Sequence, residues 1–197
     1  MIAYNFTILR CCNYSEIESV NTTFQSFFSQ GYLNVVAQIR IGQGMDVHAF
    51  EAGDFVTLAG VKIPHDQALK AHSDGDVVLH ALSDALLGAL ALGDIGQHFP
   101  DTDEKFKGAD SKVLLKHVYQ LILDRGYILN NADITVACER PKLAKYNLEM
   151  RQSIADVLKV HVTQISIKAT TTEKLGFTGR QEGILSTATV LIAHQAK

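Results

Sequence analysis

One segment constrains the fold of this 197-residue chain more than any other: DGDVVLHALSDALLGALALG, residues 74–93. Its apolar residues recur at helical spacing from Val77 to Ala89, and Gly93 follows as a stop signal. Asp74 and Asp76 precede the first turn, where a carboxylate favours the helix N-terminus and its dipole. The pattern predicts an apolar helix with acidic residues at its start.

Strand patterns lie on both sides of this helix. IRIGQGMDVHAF, from Ile39, predicts one strand, and FVTLAGVKI predicts a second strand or hairpin arm that ends at Pro64. The later elements are a helix near Ser111–Arg125, a strand in YILNNADITVAC, a helix in NLEMRQSIADVLKV, and strands in ISIKAT and LSTATVLIA. The order is β-β-α-α-β-α-β-β with no linker or repeat after residue 38. We therefore expect a single α+β domain over residues 38–197, a four-stranded sheet with helices packed on one face.

Residues 1–37 differ from the rest of the chain. Ser15 with Glu18 three residues later matches a capping box, and apolar residues then recur at helical spacing until Gly31. The pattern predicts an amphipathic helix in an N-terminal extension. It carries no group with evident chemistry, so its role stays open.

Composition and charge exclude several kinds of partner. The net charge is -3 and no apolar run approaches the roughly 18–20 residues that span a bilayer. Neither nucleic acid nor an anionic membrane is favoured. The three cysteines include no CxxC pair, and the N-terminus has no basic region before its apolar residues. We expect a cytoplasmic protein.

Asp46 and His48 stand two residues apart in the first predicted strand. Side chains at positions i and i+2 of a strand point to the same face. The pair could therefore be two metal ligands, or a hydrogen-bonded pair on a hydrated sheet face.

His80 lies inside the apolar helix, with Asp76 and Asp84 at i−4 and i+4 on its face. It could be a satisfied core residue, or a ligand that points towards the strand pair. An Asp-His-His set suits zinc and leaves the fourth tetrahedral position open for substrate. Spacing alone does not decide whether His72, His80 or His98 completes the set.

Two further segments could bind phosphate. AHSDGD, residues 71–76, precedes a helix N-terminus, which collects anions, although a simple capped turn is as common. In IKATTTEKLGFTGRQEG, the hydroxyls of Thr170–Thr172 could be strand residues or phosphate donors, and the Glu173 carboxylate could hold a hard cation such as Mg²⁺. No GxxxxGKS, GxGxxG or serine-nucleophile motif is present, and Cys138 has the setting of a buried strand residue.

Three segments in order, GMDVHAF, AHSDGDVVLHALSDALLGALALGDIGQHFPDTD and KATTTEKLGFTGRQEGI, resemble the 2-C-methyl-D-erythritol 2,4-cyclodiphosphate synthase family. The likeness runs from about Ile39 to about Ala193, and residues 1–37 have no counterpart in a typical member. Met45 and Gln97 depart from the usual pattern beside the site residues. AKYNLEM also matches only loosely.

The resemblance implies a lyase of the non-mevalonate route to isoprenoids. It would convert 4-diphosphocytidyl-2-C-methyl-D-erythritol 2-phosphate into 2-C-methyl-D-erythritol 2,4-cyclodiphosphate and CMP. It also implies a homotrimer with sheets that face the trimer axis and active sites between subunits. An isoprenoid diphosphate is a further ligand to expect near the axis, around Phe177 and Arg180.

Position in the matched motifs also implies a role for each site residue. Asp46, His48 and His80 would be zinc ligands, and His72 and Thr171 would assist the transition state. Glu173 would bind a second ion, Mg²⁺ or Mn²⁺, that bridges to the substrate diphosphate. Ser73 would contact a phosphate, and Thr170 and Thr172 would contact the diphosphate. The implied contacts of the methylerythritol part are Asp94, Ile95, Gly96, Phe99, Pro100, Asp101, Thr102 and Asp103. Those of the cytidine are Cys138, Glu139, Arg140, Pro141, Lys142, Leu143 and Ala144, and Phe177 and Arg180 complete the set.

The chemistry agrees with this assignment. The substrate's 2-phosphate attacks the β-phosphorus of the same molecule, so the protein needs no nucleophile but must position and neutralise several negative charges. Two alternatives remain at this stage. One is a metal-dependent phosphohydrolase that uses water as nucleophile, and the other is a trimeric scaffold that binds an isoprenoid diphosphate.

Overall fold

The computed structural model describes residues 38–71, 73–100, 108 and 110–195. The helix expected within residues 1–37, the predicted catalytic His72 and the predicted substrate contacts 101–103 lie outside the described residues.

Five strands form one mixed sheet, and two form a separate hairpin. The strands are β1 (Ile39–Ala52), β2 (Phe55–Leu58), β3 (Val61–Pro64), β4 (Gln67–Leu69), β5 (Tyr127–Ala137), β6 (Ile165–Thr170) and β7 (Gly183–His194). The order in the larger sheet is β4-β1-β7-β5-β6. Its pairs are antiparallel except β5 with β6, which are parallel. The predicted α+β class is confirmed.

The three longer helices agree with the predicted positions, whereas two four-residue helices lie in segments that the sequence did not predict as helical. The helices are α1 (Val77–Ala89), α2 (Ile95–His98), α3 (Ser111–Asp124), α4 (Asn147–Leu158) and α5 (Gly176–Gly179), with 3₁₀ turns at Ala144–Tyr146 and Val162–Gln164. Asp76 caps α1 and Asp110 caps α3, each through its side chain. The described ranges contain no helix long and apolar enough to cross a membrane.

The strand count differs from the prediction of a four-stranded sheet. The four long strands are present, and β4 adds a fifth at the edge beside β1. A three-residue strand is too short to show an alternating pattern, which is why the sequence did not indicate it. FVTLAGVKI is itself a complete hairpin, because Ala59 and Gly60 both adopt positive φ in the two-residue turn between β2 and β3.

The core lies between the sheet and the helices. Alternate residues of β7 are buried against that core, and those between them are more exposed. Helix α1 is buried on nearly every side because it packs on β1 and β7 and is flanked by α3. Its apolar residues therefore extend all round the helix rather than along one stripe.

Two glycines in β1 allow α1 to approach the sheet closely. A Cβ at Gly42 would collide with the Ala85 carbonyl oxygen, and one at Gly44 with the Ala81 carbonyl oxygen. Both glycines alternate with exposed residues and so share the helix side of the strand with Asp46 and His48. The close packing brings the first turn of α1, and with it His80, towards this pair.

Candidate metal centre and flanking loops

Three side chains from β1 and α1 converge on one point. Asp46 Oδ2 lies 2.9 Å from His80 Nδ1 and 3.0 Å from His48 Nε2. The two imidazole nitrogens are 3.2 Å apart. Asp46 and His48 are half-buried and His80 is buried. Within the described part of the chain, this is the one group of three or more His, Cys, Asp or Glu side chains whose ligand atoms come together in this way.

The donor set fits a zinc ion. Ligand atoms about 2.0–2.2 Å from a tetrahedral zinc lie roughly 3.3 Å from one another, close to the separations among these three atoms. Two imidazoles and one carboxylate also make the kind of three-ligand set that leaves a position for substrate. Two ring nitrogens 3.2 Å apart cannot both direct protons at each other without repulsion, so a shared cation is a natural occupant.

The electrostatics of the group favour a cation. Burial alone would raise the pKa of Asp46, but hydrogen bonds from His48 and His80 outweigh it and hold the pKa well below its usual range. Burial likewise lowers the pKa of His48, but the Asp46 carboxylate reverses this and raises it above its ordinary value. The site therefore carries a permanent negative charge beside two imidazoles.

The second ring nitrogen of His80 points away from Asp46. Nε2 lies 2.9 Å from Ser111 Oγ and 3.2 Å from Ser73 Oγ. Sequence reasoning assigned no partner to His80 here and treated Ser111 only as the start of a helix. The only sequence signal at Ser111 was its place at a helix N-terminus. That position does not indicate a contact with a histidine 31 residues earlier in the chain.

Asp76 joins the start of α1 to the β2–β3 hairpin. Its buried carboxylate accepts hydrogen bonds from four backbone N–H groups, those of Ala59, Gly60, Val78 and Leu79. Burial raises its pKa to about 6, although these N–H groups act in the opposite direction. The expected capping role is confirmed. Asp76 does not belong to the ligand group, although it lies one turn from His80.

The loop around α2, expected to hold the methylerythritol part of the substrate, is fixed by two carboxylates. Asp94 accepts from the backbone and side-chain nitrogens of Gln97, at 3.0 and 2.7 Å. Asp84, on α1, accepts from the Ile95 N–H at 2.8 Å. Gly96 and Pro100 are exposed, and Phe99 is half-buried and stacks edge-on against His117.

The predicted cytidine segment, Cys138–Ala144, follows β5. Cys138 is buried, and burial raises the pKa of its thiol to about 11, which agrees with a structural rather than a nucleophilic role. Leu143 is buried, whereas Arg140, Lys142 and Ala144 are exposed. Pro141 is half-buried, and its carbonyl oxygen lies 3.7 Å from the Cys138 sulfur.

The Glu139 carboxylate in this segment binds a neighbouring loop. Its Oε1 accepts from the backbone N–H groups of Thr172 and Lys174, each at 3.2 Å. Glu139 thus connects the predicted cytidine segment to the predicted diphosphate segment. Sequence reasoning placed it only as a substrate contact.

The hydroxyls of Thr170–Thr172 make hydrogen bonds within their own loop. Thr171 donates to the Glu173 carboxylate at 2.5 Å, and Thr170 donates to the Thr171 carbonyl at 3.0 Å. Thr172 donates to the Leu175 carbonyl at 2.7 Å. Thr171 and Glu173, the predicted catalytic residue and second metal ligand, are therefore adjacent at the end of β6.

Two further predicted contacts follow this loop. Phe177, in α5, is half-buried. Arg180 is exposed and forms a two-pronged ion pair with Glu182, at 2.8 and 3.1 Å.

Within one chain the two halves of the predicted site lie far apart across the sheet. Val47, next to Asp46, pairs with Leu185, Leu185 pairs with Ala137, and Ala137 pairs with Thr170. Three interstrand spacings separate the strands at the ends of this row, a distance of about 14 Å. The Asp46–His48–His80 group and the Thr170–Glu173 loop therefore do not converge within a single subunit.

Comparison with known proteins gives a consistent family. A sequence model of the YgbB family matches residues 39–193. The 2-C-methyl-D-erythritol 2,4-cyclodiphosphate synthase of Acinetobacter baylyi is 88% identical over 163 residues, which cover 83% of this chain and 100% of that protein.

Two solved structures have the same fold. The IspF–CDP complex of Plasmodium falciparum is 36% identical with a TM-score of 0.71, and covers 80% of this chain and 97% of its own. The bifunctional IspDF of Campylobacter jejuni is 47% identical with a TM-score of 0.77, but this chain matches 43% of its length. Residues 39–193 thus match relatives of one kind, and the match covers nearly the whole of the Acinetobacter and Plasmodium proteins.

Proposed function

Since this chain belongs to the YgbB family, we propose that it catalyses the reaction for which its 2-C-methyl-D-erythritol 2,4-cyclodiphosphate synthase relatives are named. It converts 4-diphosphocytidyl-2-C-methyl-D-erythritol 2-phosphate into 2-C-methyl-D-erythritol 2,4-cyclodiphosphate and CMP. The observation that carries this function is the 88% identity to a complete synthase, supported by the converging Asp46, His48 and His80 side chains.

The protein's task is to hold and neutralise an anion that reacts with itself. The 2-phosphate oxygen attacks the β-phosphorus, the bond from the β-phosphorus to the bridging oxygen breaks, and CMP leaves with that oxygen. Proximity within one bound molecule supplies the nucleophile, which agrees with the buried, protonated thiol of Cys138 and the lack of a serine-nucleophile motif.

Asp46, His48 and His80 would hold zinc, and Glu173 would share a second divalent ion, Mg²⁺ or Mn²⁺, with the diphosphate. When bound, such ions supply charge neutralisation and polarise phosphoryl oxygens. Ser73 would donate its hydroxyl to a phosphate, and His72 and Thr171 would donate to oxygens that gain charge in the transition state. Thr171 already donates to Glu173, so it would turn from that carboxylate to the phosphate.

The remaining contacts follow the loops. Asp94, Ile95 and Gly96 would hold the methylerythritol hydroxyls, together with the segment from Phe99 to 103. The Cys138–Ala144 segment would form the cytidine pocket mainly through backbone groups, because Cys138 and Leu143 are buried and Glu139 is engaged by Thr172 and Lys174. The structure of a relative with CDP supports a cytidine nucleotide as ligand.

A homotrimer with shared sites accounts for two observations. The first is the separation of about 14 Å between the two halves of the site. The second is the outer face of β1, where Ile39, Ile41, Met45 and Val47 are 41–70% exposed. A neighbouring subunit that covers this apolar face would bury it and bring its own Thr170–Glu173 loop to the metal group. A cytoplasmic location and an isoprenoid diphosphate near Phe177 and Arg180 also stay predictions.

The test is product analysis by phosphorus NMR together with an assay for CMP release. We expect equal amounts of CMP and a cyclic diphosphate, loss of both with a chelator, and recovery on addition of zinc and magnesium. CMP with an acyclic bisphosphate, or free inorganic phosphate, in place of the cyclic product would instead establish the phosphohydrolase alternative. Binding of an isoprenoid diphosphate without turnover of the cytidyl substrate would favour the scaffold alternative.

A further inference from the structure

The side of His80 that faces away from the ligand group is held by two residues with no assigned role. Ser111, at the first position of α3, is 1% exposed, and its Oγ lies 2.9 Å from His80 Nε2. Asp74, in the loop before α1, accepts from both the N–H and the hydroxyl of Ser111, at 3.1 and 2.5 Å. A chain of contacts therefore runs from Asp74 through Ser111 to His80 and on to Asp46.

The chemistry of this chain fixes the direction of each hydrogen bond. An ionised carboxylate only accepts, so the Ser111 hydroxyl donates its single proton to Asp74. The Ser111 oxygen then presents only lone pairs to His80, and Nε2 must carry the imidazole proton. When a cation occupies the group, the lone pair of His80 is left on Nδ1, the nitrogen that lies 2.9 Å from Asp46 Oδ2, and is available to bind it.

Ser73 cannot replace Ser111 in this role. Its Oγ is farther from Nε2, at 3.2 Å, and it also accepts from the Gly75 N–H at 3.3 Å. Ser73 is half-buried, and neither hydrogen bond of its hydroxyl is to a carboxylate. Because Ser111 already holds His80, the Ser73 hydroxyl is free to rotate towards a phosphate.

We infer that Asp74 and Ser111 form a positioning pair that keeps His80 in the tautomer whose Nδ1 binds the metal. The inference rests on the proposed metal site and adds to it a link between α3 and the loop before α1. Partners of this kind are typically worth about 10–100-fold in metal affinity. The pair acts through His80 and touches neither substrate nor metal.

The test compares zinc affinity in wild type, Ser111→Ala, Asp74→Asn and Ser83→Ala, by competition with a chromophoric chelator. Ser83→Ala is the matched control, because it deletes a buried hydroxyl of α1 that donates to the Leu79 carbonyl, away from His80. We expect Ser111→Ala to bind zinc about 10–100-fold more weakly than Ser83→Ala. Asp74→Asn should weaken binding in the same direction, because an amide cannot accept from Ser111 N–H and O–H at once.

The tautomer itself is read from ¹⁵N chemical shifts of the His80 ring in the zinc-loaded proteins. We expect the proton on Nε2 in wild type and in Ser83→Ala, and a mixture of the two His80 tautomers in Asp74→Asn. The Asp74→Asn spectrum tests the inference even if Ser111→Ala folds poorly. Zinc affinity of Ser111→Ala within twofold of that of Ser83→Ala, or a wild-type proton on Nδ1, would overturn the positioning pair alone. Failure of wild type to bind zinc would overturn the metal site together with this inference.

Discussion

At the scale of single residues, the chemistry is concentrated in Asp46. Its Oδ2 contacts both imidazoles within 3.0 Å, so one carboxylate oxygen sets the charge and the orientation of the whole group. Because the same oxygen attracts a proton to His48 when metal is removed, protons and metal compete for the site. Metal affinity should therefore fall on acidification.

The pKa of His48 gives a test of this coupling. In the metal-free protein we expect it above the ordinary 6.5 of histidine, because the stabilisation by Asp46 exceeds the effect of burial. Asp46→Asn removes that stabilisation and leaves the burial, so the His48 pKa should drop. An NMR titration of both proteins gives the two values. Equal pKa values would show that Asp46 does not control the imidazole.

At the scale of elements, carboxylates tie together segments that are distant in sequence. Asp76 connects the N-terminus of α1 to the β2–β3 turn, and Asp84 connects the same helix to α2. Glu139 connects the segment after β5 to the loop after β6. These contacts hold the loops of the site to the rigid sheet and helices, which limits the freedom that substrate binding must remove.

Asp76→Ala should destabilise the protein strongly. It leaves buried backbone N–H groups without an acceptor, so we expect a loss of about 2–4 kcal/mol in the free energy of unfolding, measured by urea denaturation. Asp124→Ala is the control, since Asp124 is exposed and accepts from the Gln120 side chain on the surface of α3. Equal denaturation midpoints in the two variants would contradict the role of Asp76.

The raised pKa of Asp76 predicts that the stability of the protein depends on pH. The native pKa of about 6 lies above the ordinary 3.8, so the native state binds a proton that the unfolded chain does not bind between these pH values. The Asp76 contribution to the free energy of unfolding should be fully present below pH 3.8 and fall as pH rises through 6. Metal-free wild type and Asp76→Asn, unfolded in urea between pH 4 and 7, should differ in this slope. Parallel plots of the free energy of unfolding against pH for the two proteins would contradict this role of Asp76.

Glu139 predicts an effect on turnover with little effect on stability. Glu139→Ala removes the acceptor for Thr172 and Lys174, so the Thr171–Glu173 loop should lose its position and kcat should fall about 10–100-fold. Glu139→Gln keeps an oxygen acceptor and should recover most of kcat. Glu149→Ala, an exposed change on α4, is the control. Loss in the glutamine variant equal to that in the alanine variant would show that charge, not loop position, matters.

At the scale of the whole molecule, the sequence predicted elements better than contacts between them. Strand alternation, helical spacing and capping residues are local, and they placed β1, α1, α3 and β5 within a few residues. The Asp46–His48 spacing and the His80 position also indicated a metal group.

The contacts that complete the site were not predictable because nothing local records them. Ser111 meets Asp74 across 37 positions, and Glu139 meets Lys174 across 35. Neither pair has a spacing that a helix or strand would impose. They follow from the packing of α3 against α1 and from the parallel pairing of β5 with β6, which exist only in the folded chain.

The separation of the site's two halves makes the assembly essential to the account. If Asp46, His48 and His80 of one subunit act with Thr171 and Glu173 of its neighbour, no single chain contains a working site. Each variant with one half removed should then be inactive alone, and two such variants should complement each other in a mixed ring.

The decisive measurement is therefore CMP release by a co-refolded equal mixture of His48→Ala and Thr171→Ala chains. In a ring of randomly mixed subunits, about a quarter of the interfaces join an intact metal group to an intact Thr171 loop. We expect each variant to be nearly inactive and the mixture to recover about a quarter of wild-type activity. A mixture no more active than its two components would contradict a site built from two subunits.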